Sequence, residues 1–227
     1  AGNSGDKPYV TGSPAATPEV ISVAQTAMPN AVTYPLVVNS PPSIAGSYTN
    51  TNTVDWAPIT SGFTGNLKTA SATAGALDNL ACQPLTPGSL TGFVALIDRG
   101  TCSISVKVHY AATAGAIGVL IANNLPGDAP SFSFGGPDPF TPAQTLIITQ
   151  ATGNTLKSAL SGGAVNVSVS PSVTVALAGS MAVTSSRGPN YSFTAIKPEI
   201  GAPGASVSAE YSTGDGVTAF GGTSGAA

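Results

Sequence analysis

The sequence predicts a mixed α/β fold built mostly from short strands. Three observations carry that expectation. Runs of four or five strand-forming residues recur between residues 93 and 177. A segment with a helical apolar face separates two of them, and Gly and Pro punctuate most of the boundaries.

The elements follow in order. Val20-Ile21-Ser22-Val23 reads as a short β run after a Gly- and Pro-containing loop, and residues 30–80 carry the least specific signal. Phe93–Ile97 is an apolar run of strand formers, and Asp98-Arg99-Gly100-Thr101-Cys102 reads as a turn. Ser103–Ala114 places Ile104, Val108, Ala111 and Ala112 on one helical face, and Gly115 suits the left-handed residue that ends a helix. Ile117–Ile121 closes a β-α-β unit, whose strands are expected to be parallel with a right-handed crossover. Thr145–Ile148, Val165–Val169 and Val173–Leu177 read as further strands, and Ala151–Leu160 as a short helix with Thr149 as its N-cap. No internal repeat is visible.

Composition narrows the function classes. The chain is 42% apolar, yet no apolar stretch approaches the ~18 residues of a membrane span. No basic segment followed by an apolar run stands at the start, so no signal peptide is expected within these residues. Charged residues make up 7% of the chain and the net charge is −3, which leaves no electrostatic footprint for nucleic acid or anionic lipid. Cys82 and Cys102 fit one disulfide in an oxidising compartment, with two buried free thiols as the alternative. Such a bridge would stabilise the fold by about 3 kcal/mol. Two Cys and one distant His do not complete a zinc site, and no acidic cluster resembles a strong calcium site, so no side-chain metal site and no cofactor are expected; calcium held by backbone carbonyls would leave no mark in the sequence.

Two short segments carry candidate chemistry. Asn3 lies in Ala1-Gly2-Asn3-Ser4-Gly5, which taken alone reads as a turn. Ser224 lies in Gly221-Gly222-Thr223-Ser224-Gly225-Ala226-Ala227; alone it reads as a loop serine, and Ala226 departs from the G-x-S-x-G elbow.

Together and in order, these segments resemble the subtilisin-like serine protease (subtilase) family. The opening is similar to its AGN-x-G oxyanion segment, and Thr11–Ala24 to the loop and strand that follow. Ser185-Ser186-Arg187-Gly188-Pro189 resembles its SSRGP signature, Lys197–Gly204 its KPDI-x-APG, and the last residues its GTS serine motif. The middle stretch resembles the protease-associated (PA) domain. That likeness rests on Cys82, Gly92–Cys102, Lys107, Ala111–Gly118, Asn123-Asn124 and the Gln150–Leu156 region.

The resemblance implies a PA domain, an open β-rich barrel or sandwich with short flanking helices, over residues 29–178. It would be inserted between catalytic-domain segments 1–28 and 179–227. It further implies Ser224 as nucleophile and Asn3 as side-chain donor to the oxyanion. Gly12, Ser13 and Pro14 would form the wall and floor of the pocket for the residue before the cleaved bond, with Gly2 beside them; the bond before Pro14 tends to be cis in the family. The implied partners are a protein or peptide substrate and the remainder of the catalytic domain; no nucleic acid and no membrane are implied. The implied location is extracellular.

The family's Asp and His lie N-terminal to the asparagine and have no counterpart here, so this chain alone is expected to be inactive. The one histidine, His109, falls within the predicted helix and reads as a packed or solvated residue rather than a base. Residues 123–142 combine Pro and Gly with Phe132, Phe134 and Phe140, rings that either touch a partner or fold back onto the sheet. Asp98-Arg99 reads as a charged pair fixing the strand–helix turn, and Asn166-Val-Ser168 and Asn190-Tyr-Ser192 are glycosylation sequons. Two readings result. The chain is part of a secreted serine endopeptidase, or its folded unit is a PA binding module without catalysis. A PA-bearing metallopeptidase is not expected, because a ligand cluster is lacking.

Overall fold

The computed structural model describes the chain apart from residues 6, 29, 73–77, 191–194 and 210–216. In chain order its first strands are β1 (Val23–Thr26), β2 (Val32–Thr33), β3 (Leu36–Ser40), β4 (Gly46–Tyr48), β5 (Thr51–Thr53) and β6 (Phe63–Thr69). Next come β7 (Phe93–Asp98), α1 (Ile104–Thr113), β8 (Gly118–Ala122), β9 (Thr145–Ile148) and α2 (Gln150–Gly162). The remainder are β10 (Asn166–Val169), β11 (Val175–Ala176), β12 (Ile200–Pro203), β13 (Ala205–Ala209), β14 (Val217–Gly221) and α3 (Gly222–Ala226). The chain forms two compact units: Thr33–Val175, and Ala1–Val32 with Ala176–Ala227.

Thr33–Val175 is organised by an eight-stranded sheet in the order β4-β3-β10-β6-β7-β8-β9-β5. Strands β6, β7, β8 and β9 run parallel to one another, while β3, β4, β5 and β10 pair antiparallel. The connection between the edge strands determines its shape. Laid flat, eight strands would separate β4 from β5 by about 34 Å. Yet Tyr48 and Thr51 are three residues apart and can be separated by no more than about 11 Å. The sheet therefore curls until its edges approach, forming a barrel left open between β4 and β5.

Alternation along the strands sorts side chains into two cores. Val94 and Leu96, Leu120 and Ala122, and Leu146 and Ile148 face inward with Leu36, Phe63, Val167 and Leu156 of α2. Ala95 and Ile97, Val119 and Ile121, and Ile147 face outward and are covered by Ile104, Val108 and Ala111 of α1. Burial on both faces explains why β7, β8 and β9 read as unbroken apolar runs. The predicted β-α-β unit is present, with β7 and β8 parallel and in register from Val94↔Gly118 to Asp98↔Ala122. Gly115 has φ +92° directly after the α1 cap, Ala114. The Thr149 side chain caps α2 by accepting from Thr152 N. At Gly153 a Cβ would lie 2.4 Å from Ala122 Cβ, so this glycine lets α2 settle onto β8.

The structure differs from expectation in three places. Strands β3, β4, β5 and β6 lie in the weakly patterned residues 30–80, where polar outward positions such as Asn39 and Asn66 alternate with core positions. The run at Val173–Leu177 shrinks to Val175–Ala176, because Val173 N closes a turn on Ser170 O at 3.3 Å and Val173 stays 54% exposed. The run at Val20–Val23 becomes a strand only from Val23, for a reason given below.

In the other unit, β1 pairs parallel with β12, from Val23↔Ile200 to Thr26↔Pro203. β13 and β14 form an antiparallel pair, and α3 packs against β1. No described helix is long and apolar enough to cross a membrane.

Candidate functional site

The site-bearing residues of the discontinuous unit gather around the segment Gly2-Asn3-Ser4. Ser186 holds it from both sides: its N–H donates to Gly2 O at 3.0 Å, and its Oγ accepts from Ser4 N at 2.9 Å. Gly2 has φ +100°, and a Cβ there would approach Ser186 Oγ to 3.1 Å, so this position favours glycine on conformation and on space. The next serine back, Ser185, accepts from Gln25 N at 3.0 Å and ties the same loop to β1. At Gly188 a Cβ would fall 1.4 Å from Lys197 O, which excludes any side chain. The Ser185–Gly188 run thus works as a clamp on the Asn3 segment, a role its sequence alone did not reveal.

The clamped Asn3 is exposed, and its Oδ1 accepts a hydrogen bond from Thr223 Oγ1. Thr223 is buried and is followed by exposed Ser224 within α3. Residues separated by almost the whole sequence therefore meet. With its oxygen end held by Thr223, the Asn3 amide keeps its NH2 end as the group that donates elsewhere.

Four further predicted residues, Gly2, Gly12, Ser13 and Pro14, line one cavity of about 320 Å³, with Ile21 and Ala227 also on its surface. The Ser13–Pro14 bond is cis. A Cβ added at Gly12 would meet nothing within 4 Å, so the missing side chain at Gly12 leaves space that a larger residue would occupy. Ile21 is 70% exposed and Val20 41%, an apolar stretch beside that opening.

That stretch is held by two charged side chains. Lys197 Nζ donates to Val20 O and to Glu199 Oε1, and its side chain is buried. Glu199 Oε2 accepts from Ser22 N at 2.7 Å, while Glu199 N donates to Ser22 O at 3.0 Å. Side chains thus take Val20 O and Ser22 N, two backbone groups that a ladder would otherwise use, and the strand starts at Val23. The Lys197 hydrogen bond, followed by that from Ser22 N, lowers the Glu199 carboxyl below the ordinary carboxylate range.

Within Thr33–Val175, Cys82 and Cys102 form the expected disulfide, with Cα atoms 5.7 Å apart. Lys107, on the inner side of α1, is completely buried and donates to Leu80 O at 2.5 Å, with Nζ 3.6 Å from Cys82 Sγ. Burial pushes its pKa down to about 8, against the pull of Asp78 and Asp98. Sequence reasoning noted Lys107 but not its burial; its place between Ile104, Val108 and Ala111 on the helix was the available signal.

The expected Asp98–Arg99 pair dissolves into separate contacts. Asp98 bonds Lys157 of α2 at 2.9 Å, whereas Arg99 donates to Asn123 Oδ1 at 2.9 Å and lies 5.0 Å over the Phe132 ring. A β-strand sends neighbouring residues to opposite faces, which is why these two part. His109 Nδ1 accepts from Thr141 N at 3.0 Å, a packing role. Phe132 and Phe140 pack onto the outer core with Trp56, while Phe134 remains 47% exposed. Asn166 shares its amide with Asn39 and Asn66, each at 2.9 Å; Tyr191 and Ser192 of the second sequon lie outside the described residues. Among the described residues no group of three or more His, Cys, Asp or Glu could hold a metal ion.

The PA domain family model matches residues 32–156, more than half of the chain, and the chain belongs to that family. It is similar to the minor extracellular protease Vpr of Bacillus subtilis (strain 168), with 30% identity over 94% of this chain and 25% of Vpr. It is also similar to leucine aminopeptidase 2 of Arthroderma otae, 37% identical over 40% of this chain and 18% of that protein. Among solved structures it resembles an aminopeptidase from Aneurinibacillus sp. strain AM-1, with TM-score 0.46 and 23% identity over 67% of this chain and 32% of that one. The chain thus spans about a quarter or less of the length of these curated relatives, which are peptidases.

Proposed function

We propose that the chain is the part of a secreted subtilisin-like serine endopeptidase that carries the oxyanion donor and the nucleophile, with the PA unit inserted between them. The contact between Thr223 Oγ1 and Asn3 Oδ1 carries this reading, because it sets the residue beside Ser224 against the asparagine of the opening motif. The cavity at Gly2, Gly12, Ser13 and Pro14 supports it, as does similarity to an extracellular protease over nearly the whole chain.

In this reading Ser224 Oγ attacks the scissile carbonyl after passing its proton to a histidine supplied by the remainder of the catalytic domain. Asn3 Nδ2 donates to the oxygen as it becomes an oxyanion, an interaction worth about 2.7–4 kcal/mol in the transition state. The cavity beside Gly12 takes a large apolar side chain before the cleaved bond; the C–N bond breaks as the amine leaves with the proton returned by that histidine, and water then hydrolyses the acyl-enzyme and regenerates Ser224. The PA unit acts on substrate recognition or access.

The aminopeptidase similarity, confined to 40% of the chain, favours a second reading in which the PA unit is a binding module independent of the chemistry beside it. One experiment separates the two. In the full-length parent a fluorophosphonate probe should label Ser224, and Ser224→Ala should abolish both labelling and peptide hydrolysis. The 227-residue chain alone should remain unlabelled. Hydrolysis that survives Ser224→Ala would defeat the assignment of Ser224 as nucleophile, and a parent with neither labelling nor hydrolysis would leave only the module.

A further inference from the structure

Three features around the disulfide point away from a purely structural staple. The first is access. A cavity of about 280 Å³ opens against Cys102 and is lined by Arg99, Thr101, Ser103 and Phe132 among others, whereas Cys82 does not line it. The second is charge. Among the described residues Arg99 is the ionisable side chain on that lining and no carboxylate shares it, and Cys102 immediately precedes the Ser103 cap of α1, whose side chain makes no capping bond. The third lies on the opposite sulfur. Lys107 Nζ, completely buried, stands 3.6 Å from Cys82 Sγ, and Thr101 Oγ1 lies 3.8 Å from the same atom.

A disulfide breaks toward the sulfur that is the better leaving group, and a thiolate beside an ammonium leaves more readily. The two sulfurs are therefore unequal: both cysteines are partly buried, but Cys102 lines the cavity, whereas Cys82 has the Lys107 ammonium 3.6 Å from its sulfur. We propose that this disulfide is a directional thiol-exchange site, in which a small thiolate bearing a carboxylate enters the Arg99 cavity and attacks Cys102 Sγ. The Cys82–Cys102 bond breaks as the bond between Cys102 and the incoming sulfur forms. The electron pair leaves on Cys82 as a thiolate paired with the Lys107 ammonium, and the incoming thiol has already lost its proton to solvent. No other oxidant or reductant takes part.

Release also has a mechanical consequence. Ala81, directly before Cys82, is a buried non-glycine residue at φ +50°, held between the Lys107 contact to Leu80 O and the disulfide. Breaking the bridge removes one of the restraints on that backbone, leaving the bonds at Leu80 O and Leu80 N. The groups facing Lys107 are Asp78 and Asp98, which favour its charged form, and burial, which opposes it with a resulting pKa of about 8. At neutral pH the lysine therefore carries its proton.

The test treats the 227-residue chain at pH 7 with glutathione, traps free thiols with iodoacetamide, and maps the products by mass spectrometry. We expect glutathione on Cys102 and carbamidomethyl on Cys82, in about tenfold excess over the reverse. The cationic thiol cysteamine should react more slowly than glutathione, and Arg99→Gln should erase that difference. Lys107→Met should reduce the positional bias toward an even split. Should that variant not fold, the reduced parent chain supplies the same information: Cys82 should be alkylated at a lower pH than Cys102. Adducts predominantly on Cys82, an even split in the unsubstituted chain, equal rates for the two thiols, or no adduct on the folded chain would each overturn the proposal.

Discussion

At the scale of single residues, the site depends on small groups whose neighbours leave them no freedom. Asn3 owes its orientation to Thr223 and its backbone placement to Ser186. On the proposed reading, Asn3→Ala in the full-length parent should lower kcat by about 10²–10³-fold with KM nearly unchanged, because the proposed donor would act on the oxyanion alone. Gly12 has open space where a side chain would project. On the proposed reading of that cavity as the substrate pocket, Gly12→Val should raise KM for substrates with a large apolar residue before the cleaved bond and spare those with a small one, as peptide-series kinetics would reveal. Glu199 supplies a pH dependence. Its carboxyl is lowered in the folded chain from the ordinary value of 4.5, so its contribution to stability is complete above that value. The contribution disappears as pH falls through the lower, folded-state value, when Ser22 N and Lys197 lose a charged partner. Acid titration followed by fluorescence melts should show this loss, and Glu199→Gln should remove it.

Elements obey their local sequence where burial is two-sided and escape it where side chains intervene. β7, β8 and β9 are apolar on both faces and so were legible, as were α1, α2 and the Thr149 cap. The Thr149→Ala change should lower the stability of Thr33–Val175 by about 1 kcal/mol in urea melts. The strands β3 to β6 were not legible, because their outward side chains are polar, β4 and β5 have three residues each, and β6 is interrupted by Gly65. On α1 the apolar face conceals Lys107. Its pKa is about 8 in the folded chain against an ordinary 10.5, so between those values the unfolded chain binds more protons. Stability should accordingly rise with pH across that window, and Lys107→Met should flatten the rise.

At the scale of the whole molecule, the chain consists of a contiguous unit and a unit assembled from two distant segments. The contiguous unit has two cores and its own disulfide, so residues 33–175 expressed alone should fold cooperatively and resist proteolysis; a broad, non-cooperative melt would contradict this. Residue order by itself determined the mixed α/β class and the parallel β7-α1-β8 unit, since each is written in patterns over a few tens of residues or less. Tertiary structure alone decided the curling of the sheet, the partners of Asp98 and Arg99, the burial of Lys107, and the meeting of Asn3 with Thr223. Those outcomes depend on groups far apart in the chain, whose contacts exist only once the backbone has closed on itself and excluded water from between them.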